Sequence, residues 1–157
     1  MDVTIRTLDN IPAASIRHQG PYNQVGPCFE RLVGWALSTG APIGRAFMMS
    51  WDNPEFVAPE NLRSDACIEF ETDATPPDGI SLETIDAAGS YAVYVHSGPY
   101  AGLPAAYQKL FAEWLPASGE HLAERACIEF YLNSPMDTPP EDLVTEIWLP
   151  LAEPEID

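Results

Sequence analysis

The chain says nearly the same thing twice. His18-Gln19-Gly20-Pro21-Tyr22 returns as His96-Ser97-Gly98-Pro99-Tyr100, an offset of 78 (96 − 18), each copy following a short apolar run and preceding a helix-like stretch. Asp52-Asn53-Pro54 with Pro59-Glu60-Asn61-Leu62 returns as Asn133-Ser134-Pro135 with Pro140-Glu141-Asp142-Leu143, an offset of 81 (133 − 52). Two markers in one order, with offsets three apart, define a duplicated module carrying one small insertion. Such a duplication builds a pseudo-symmetric cleft between its halves, and clefts at junctions are where ligands bind. The best-looking match lies outside this repeat. Ala66-Cys67-Ile68-Glu69-Phe70 and Ala126-Cys127-Ile128-Glu129-Phe130 are identical but only 60 apart (126 − 66), so they read as similar strands in non-equivalent places.

Each half reads as a leading strand followed by strand, helix and two strands. In the first, Val3–Thr7 leads, Ala13–His18 follows, and a helix runs from about Asn23 to Ser38. Its Val25, Cys28, Phe29, Leu32 and Ala36 keep the three-four spacing of one buried stripe, and Gly40 stops it. Strands follow at about Arg45–Trp51 and Arg63–Glu71. In the second half, Ser81–Ile85 leads and Tyr91–His96 is a strand of aromatic and β-branched residues. A helix spans about Leu103 to Leu115 and ends at Pro116. Strands at Ala126–Leu132 and Leu143–Leu151 complete it. The predicted organisation is one domain over 1–157, with pseudo-repeats 1–74 and 78–152, a linker at Thr72–Gly79 that contains Thr75-Pro76-Pro77-Asp78-Gly79, and a frayed acidic tail at 153–157.

Composition excludes several classes. A content of 46% hydrophobic residues in 157 supports a packed core in spite of 16 prolines. The net charge of −17, from 24 acidic and 7 basic residues, repels phosphates, so direct nucleic acid binding is not expected. No signal peptide or membrane span is visible, and Cys28, Cys67 and Cys127 sit singly inside apolar patterns, which suits reduced thiols in the cytoplasm. No metal-ligand spacing or glycine-rich phosphate loop is present, so no metal or cofactor is expected.

Alternation along the strands predicts shared faces. It places Ala126, Ile128, Phe130 and Leu132 under the helices, with Ile147, Leu149 and Leu151. Cys127, Glu129, Tyr131 and Asn133 then fall on the other face, with Met48 and Ser50 as their counterparts in the first half. Trp148 is placed there as well, beside Cys67 and Glu69. The expected fold is α+β: a tandem β-α-β-β duplication forming antiparallel sheets, two helices on one face and a ligand groove on the other.

These motifs carry a family resemblance. His-x-Gly-Pro-Tyr before a helix, Trp51-Asp52-Asn53-Pro54 with Pro59-Glu60-Asn61-Leu62-Arg63-Ser64-Asp65, Gly119 after Glu113-Trp114-Leu115-Pro116, and Cys127-Ile128-Glu129-Phe130-Tyr131-Leu132-Asn133 resemble the GyrI-like small-molecule-binding family over the whole chain. Relatives include effector-binding domains of AraC-type and multidrug-sensing regulators. The resemblance implies two sheet-helix modules lining a central groove. It also implies a buried glutamate at the position of Glu129 that receives bulky cationic, aromatic drugs. Family members commonly carry a tyrosine where Trp148 stands. With no helix-turn-helix segment, the chain reads as a standalone member, monomeric or homodimeric. Some standalone relatives are named DNA gyrase inhibitors, and others open cyclopropane rings by hydrolysis.

The leading expectation is therefore a protein that sequesters or senses an amphipathic, cationic or polycyclic xenobiotic. Glu129 supplies charge, and Tyr131, Trp148 and Met48 supply contact area. A carboxylate between Ile128 and Phe130 is costly to desolvate unless something pairs with it; a cationic ligand or a neighbouring amide are the two readings. Glu69 is either a second site carboxylate or an exposed one. Trp114 is either helix-stripe core or groove rim. His18 and His96 read as scaffold, each bonding across its turn, because a catalytic residue is rarely needed twice. Two alternatives remain open. One is hydrolysis of a strained electrophile, with Glu129 as general acid or base and Tyr131 assisting. The other is inhibition of DNA gyrase as a protein partner.

Overall fold

The computed structural model describes residues 1–153; the rest of the expected acidic tail, 154–157, lies outside the described residues. Eleven main elements follow the predicted order. They are β1 (Val3–Leu8), β2 (Ile11–Gln19), α1 (Gly26–Thr39), β3 (Ala46–Ser50), β4 (Arg63–Glu69), β5 (Ser81–Ile85), β6 (Gly89–Ser97), α2 (Leu103–Lys109), α3 (Leu115–Ser118), β7 (Cys127–Tyr131) and β8 (Val144–Pro150). A π-helical turn, Leu110–Trp114, joins α2 to α3 without a break. Pro116 therefore does not end the helix. It sits in the first turn of α3, where the missing N–H is tolerated, with the wide turn just before it. The helix stops instead at Gly119, in the left-handed conformation.

All eight strands form one antiparallel sheet in the order β1-β6-β8-β7-β3-β4-β2-β5. The leading strand of each half is exchanged: β1 pairs with β6 of the second half, and β5 pairs with β2 of the first. A repeat read from sequence assigns each leading strand to its own half, because strand identity carries no partner information. The exchange also sets the curvature. β1 and β2 lie six strand spacings apart in the sheet, about 29 Å if it were flat. Three Cα steps from Leu8 to Ile11 reach only about 11 Å. The sheet must curl until these ends meet. The two crossovers do meet, with the Ala88 N–H donating to Asn10 Oδ1 at 3.1 Å.

Curling closes a core on the face without helices. Phe47, Phe130, Tyr91 and Trp148 pack there with Ile11, Ala13, Met49, Cys67, Ile85, Val93 and Ile128. Arg6 lies over Trp148 at 4.7 Å from the ring centroid, Arg45 over Phe130 at 4.2 Å and Arg125 over Tyr91 at 4.8 Å. On the opposite face α1 presses Leu32 and Ala36 onto Ala14, Ile16 and Ile68. There α2 and the π-helical turn set Leu103, Ala106 and Leu110 against Ala92, Ile147 and Leu149. Each leucine or isoleucine among these, fully buried, contributes about 1.5–3 kcal/mol.

The His-x-Gly-Pro-Tyr echo is scaffold in both halves. His18 Nε2 bonds the Pro21 carbonyl at 3.1 Å, and His96 Nε2 the Pro99 carbonyl at 3.0 Å. Gly20 and Gly98 hold positive φ angles of 133° and 124°, which a side chain would strain. Their N–H groups donate to Leu62 and Leu143, both at 2.8 Å. The repeated pentapeptides occupy β4 and β7, which flank β3 and are not equivalents, as the offset of 60 requires.

Candidate functional site

At the centre of the sheet, the antiparallel pairing of β3 with β7 sets Met48 opposite Glu129. These residues are equivalents under the 81-residue offset, so the pseudo-twofold axis of the duplication passes between them. One half contributes a thioether to this point and the other a carboxyl. Residues opposite each other in a ladder share a face. Met48 packs with Val25 at the start of α1, and Ile147, opposite Glu129, packs with α2. The Met48–Glu129 pair therefore floors the space between the helices.

Glu129 is 6% exposed. Tyr107, from α2, donates its hydroxyl to Oε2 at 2.7 Å, and Tyr131, two residues along β7, donates to Oε1 at 2.9 Å. Rings build outward from this pair. Tyr131 meets Phe29 of α1 edge-on at 5.7 Å and Tyr100 at 5.6 Å, and Tyr107 stacks on Phe111 at 6.2 Å. Val25, Ala66, Tyr22 and Cys28 complete the apolar side around Met48. Tyr22 is tied to the loop after β3, donating to the Asp52 carbonyl at 2.5 Å.

Burial raises the pKa of the Glu129 carboxyl above the usual carboxylate value. The two tyrosine hydroxyls and the nearby His96 oppose that rise, because they favour the anion. Tyr107 and Tyr131 are pushed well above the ordinary phenol value, by burial first and then by the Glu129 charge. They remain donors. Burial, with the Glu129 charge adding to it, pushes the Cys127 thiol up to about 12, so it is no thiolate at neutral pH.

The structure brings together Glu129, Tyr131 and Met48 and separates them from the other expected site residues. Trp148 lies on the opposite face. It is opposite Ile128 in the ladder, 1% exposed, edge-on to Phe130 and Tyr91, and its Nε1 donates to Glu146 at 3.1 Å. The predicted facing of β7 is thus inverted. Ile128 and Phe130 enter the helix-free core, while Cys127, Glu129 and Tyr131 face the helices. The face expected to hold the groove is a dry aromatic core. Glu69 also lies on that face, half-buried and ion-paired with Arg45. Trp114 packs into the cluster between α2 and the sheet.

Sequence reasoning missed Tyr107, Tyr100 and Phe29 as parts of this arrangement. A signal was available: the 78-residue offset equates Phe29 with Tyr107 and Tyr22 with Tyr100, so the helix starts present paired rings to one place. Two surface hollows, of about 560 and 610 Å³, lie elsewhere, along Pro12, Phe70–Asp73 and Leu82–Thr84, and along Met1, Asp2, Thr4 and Val93–Val95. Above Glu129, Tyr107 and Tyr131 are in place and the floor is closed. Among the described residues, no group of three or more His, Cys, Asp or Glu side chains is arranged to hold a metal ion. No helix among them is long and apolar enough to cross a membrane.

Comparison with known proteins agrees with the fold. A family model described as the GyrI-like small molecule binding domain matches residues 1–152. A protein named DNA gyrase inhibitor from Edwardsiella piscicida is 38% identical over 141 residues, covering 85% of this chain and 88% of the relative. Among solved structures, the EcmrR C-terminal domain superposes with a TM-score of 0.79 at 20% identity, covering 97% of this chain and 98% of that one. SAV2435 bound to tetraphenylphosphonium superposes with a TM-score of 0.63 at 12% identity, covering 97% and 94%.

Proposed function

Because this chain belongs to the GyrI-like small-molecule-binding domain family, we propose that it binds amphipathic organic cations between its two helices, with Glu129 as the charge that receives them. The observation that carries this reading is a carboxyl at the centre of the sheet, 6% exposed and held by two tyrosine hydroxyls among aromatic rings. A buried anion bonded only by neutral donors gains most from a cation. The surrounding rings add cation–π attraction of about 0.5–2 kcal/mol. Entry requires Tyr107 or Tyr131 to turn away, so a tyrosine hydrogen bond is exchanged for an ion pair. Strand-borne Glu129 stays fixed while the aromatic cover moves.

Calorimetric titration with tetraphenylphosphonium, the cation held by the neighbour SAV2435, tests this. Wild type binds, and Glu129→Gln binds at least tenfold more weakly. Equal affinity of the two would remove the centre of the proposal. Affinity rises with pH as Glu129 loses its proton, following one ionisation with a raised pKa.

A second reading, inhibition of DNA gyrase, is favoured by the relatives that carry that name and by the net charge of −17, which suits a basic protein surface. A supercoiling assay at physiological salt reads it out, and unchanged gyrase activity at excess protein eliminates it. Hydrolysis is the third reading, since a carboxyl of raised proton affinity suits a general acid. Product release from a cyclopropane-bearing alkylator separates turnover from capture.

A further inference from the structure

Two buried hydroxyls have no hydrogen-bond partner among the described residues, Ser64 Oγ and Thr145 Oγ1. Both residues are 0% exposed. They are equivalents under the 81-residue offset (145 − 64), and both face the helices. Ser64 stands opposite His18 and Ser50, and Thr145 opposite His96 and Tyr131. An unsatisfied buried hydroxyl costs more than an apolar group of the same shape. Thr145 Oγ1 makes no hydrogen bond to the adjacent imidazole, whose Nε2 bonds the Pro99 carbonyl.

The register fixes where these hydroxyls lie relative to Glu129. Thr145 is one strand across and two residues along, about 8 Å between Cα atoms. Ser64 is two strands across and two along on the other diagonal, about 12 Å away. The two sides of the floor differ in chemistry. Toward Thr145 stand Tyr131, Tyr107, Tyr100 and His96; toward Ser64 stand Met48, Ala66, Val25 and Cys28, with His18 and Tyr22, which are bonded to the Pro21 and Asp52 carbonyls. One side chain links the carboxyl to Thr145. Tyr131 donates to Glu129 and is also the cross-strand neighbour of Thr145. A rotation of Tyr131 that frees Glu129 Oε1 therefore also opens space beside its cross-strand neighbour Thr145.

We propose that Thr145 Oγ1 is a second polar contact of the Glu129 site, reached once the tyrosine cover turns away. The ligand class it selects is an organic cation carrying a hydroxyl, ether or carbonyl oxygen on the β8 side of its charge, with apolar rings over Met48 and Ala66. This rests on the reading of Glu129 as the cation site. A threonine hydroxyl both donates and accepts, so any of these oxygens satisfies it. The valine isostere keeps the strand-favouring shape and removes only the hydrogen-bonding group.

A matched pair of probes tests it: tetraphenylphosphonium and (4-hydroxyphenyl)triphenylphosphonium, which differ by one hydroxyl. Wild type prefers the hydroxylated probe by roughly tenfold, the scale of one buried hydrogen bond. Thr145→Val abolishes that preference and leaves tetraphenylphosphonium within about twofold, while Thr145→Ser retains the preference. No preference in wild type, or one that survives in Thr145→Val, overturns the subsite and leaves the Glu129 reading standing. Indifference of tetraphenylphosphonium binding to Glu129→Gln overturns the underlying reading, and the subsite with it.

Discussion

Glu69 and Glu129 occupy the same position of one five-residue sequence, on two strands of one sheet, and they live in opposite surroundings. In β4, Glu69 points to the helix-free side, reaches its rim and pairs with Arg45. In β7, Glu129 points under the helices and is held by two phenols. The cause is β3, which pairs with both strands. Phe47 of β3 stands opposite Cys67 on one side and opposite Phe130 on the other. The second residue of one pentapeptide therefore shares a face with the fifth residue of the other, and every side chain between them is inverted. The residue type did not decide which glutamate became a candidate ligand contact. Register did.

The largest test of this difference removes the hydroxyls of Tyr107 and Tyr131 together. The double Phe variant leaves Glu129 as an unpaired buried anion, and chemical denaturation at pH 8 shows a loss of about 3–5 kcal/mol. At pH 4 the loss shrinks, because the protonated carboxyl needs less. An equal loss at both pH values would mean that the hydroxyls act only through packing.

Next comes binding. Tetraphenylphosphonium affinity falls ten- to a hundredfold in Glu129→Gln and stays within twofold in Glu69→Gln, a span of about 1.4–2.8 kcal/mol against nothing measurable. If Glu69→Gln were as harmful, the inverted facing would not be what separates the two sites.

The pH profile gives a smaller effect with a definite sign. The folded pKa of Glu129 is raised, so between the ordinary carboxylate value and that raised value the native state binds more protons than the unfolded one. This contribution is fully present below the unfolded pKa and is lost as pH rises through the folded one. Glu129→Gln escapes the loss. It melts above wild type at pH 8 and converges with it near pH 4. A gap independent of pH would refute the linkage. Smallest is Arg45→Ala, which breaks the Glu69 ion pair at the half-exposed rim and costs about 1 kcal/mol or less. A larger loss, read from denaturation midpoints, would make the cover on Phe130 more important than the charge.

Much of the fold was legible because it rests on local periodicity. The three-four stripe of α1, the alternation in β6 and β8 and the glycine at the end of α1 each point to one element. The offsets of 78 and 81 aligned those elements correctly and excluded the identical pentapeptides as equivalents. Pro116 misled, because the π-helical turn before it has no period a reader can see. Trp148 misled for a different reason. Alternation sorts a strand into two sets and leaves open which set faces which layer, so β7 and β8 were each divided correctly and then matched wrongly. The belt of Tyr107, Tyr100 and Phe29 stayed hidden within helix and turn patterns that core packing explains equally well.

The sequence by itself determined the duplication, the order of the elements and the presence of one carboxyl where the other half has Met48, since these are properties of local pattern and of comparing two halves. Only the tertiary structure decided that β1 and β5 trade places, that the sheet curls shut over Trp148, and that Glu129 lies beneath the helices. The physical reason is common to all three. Each depends on which strand lies beside which and in what register, and hydrogen bonding between backbones is blind to the side chains that would record it in sequence.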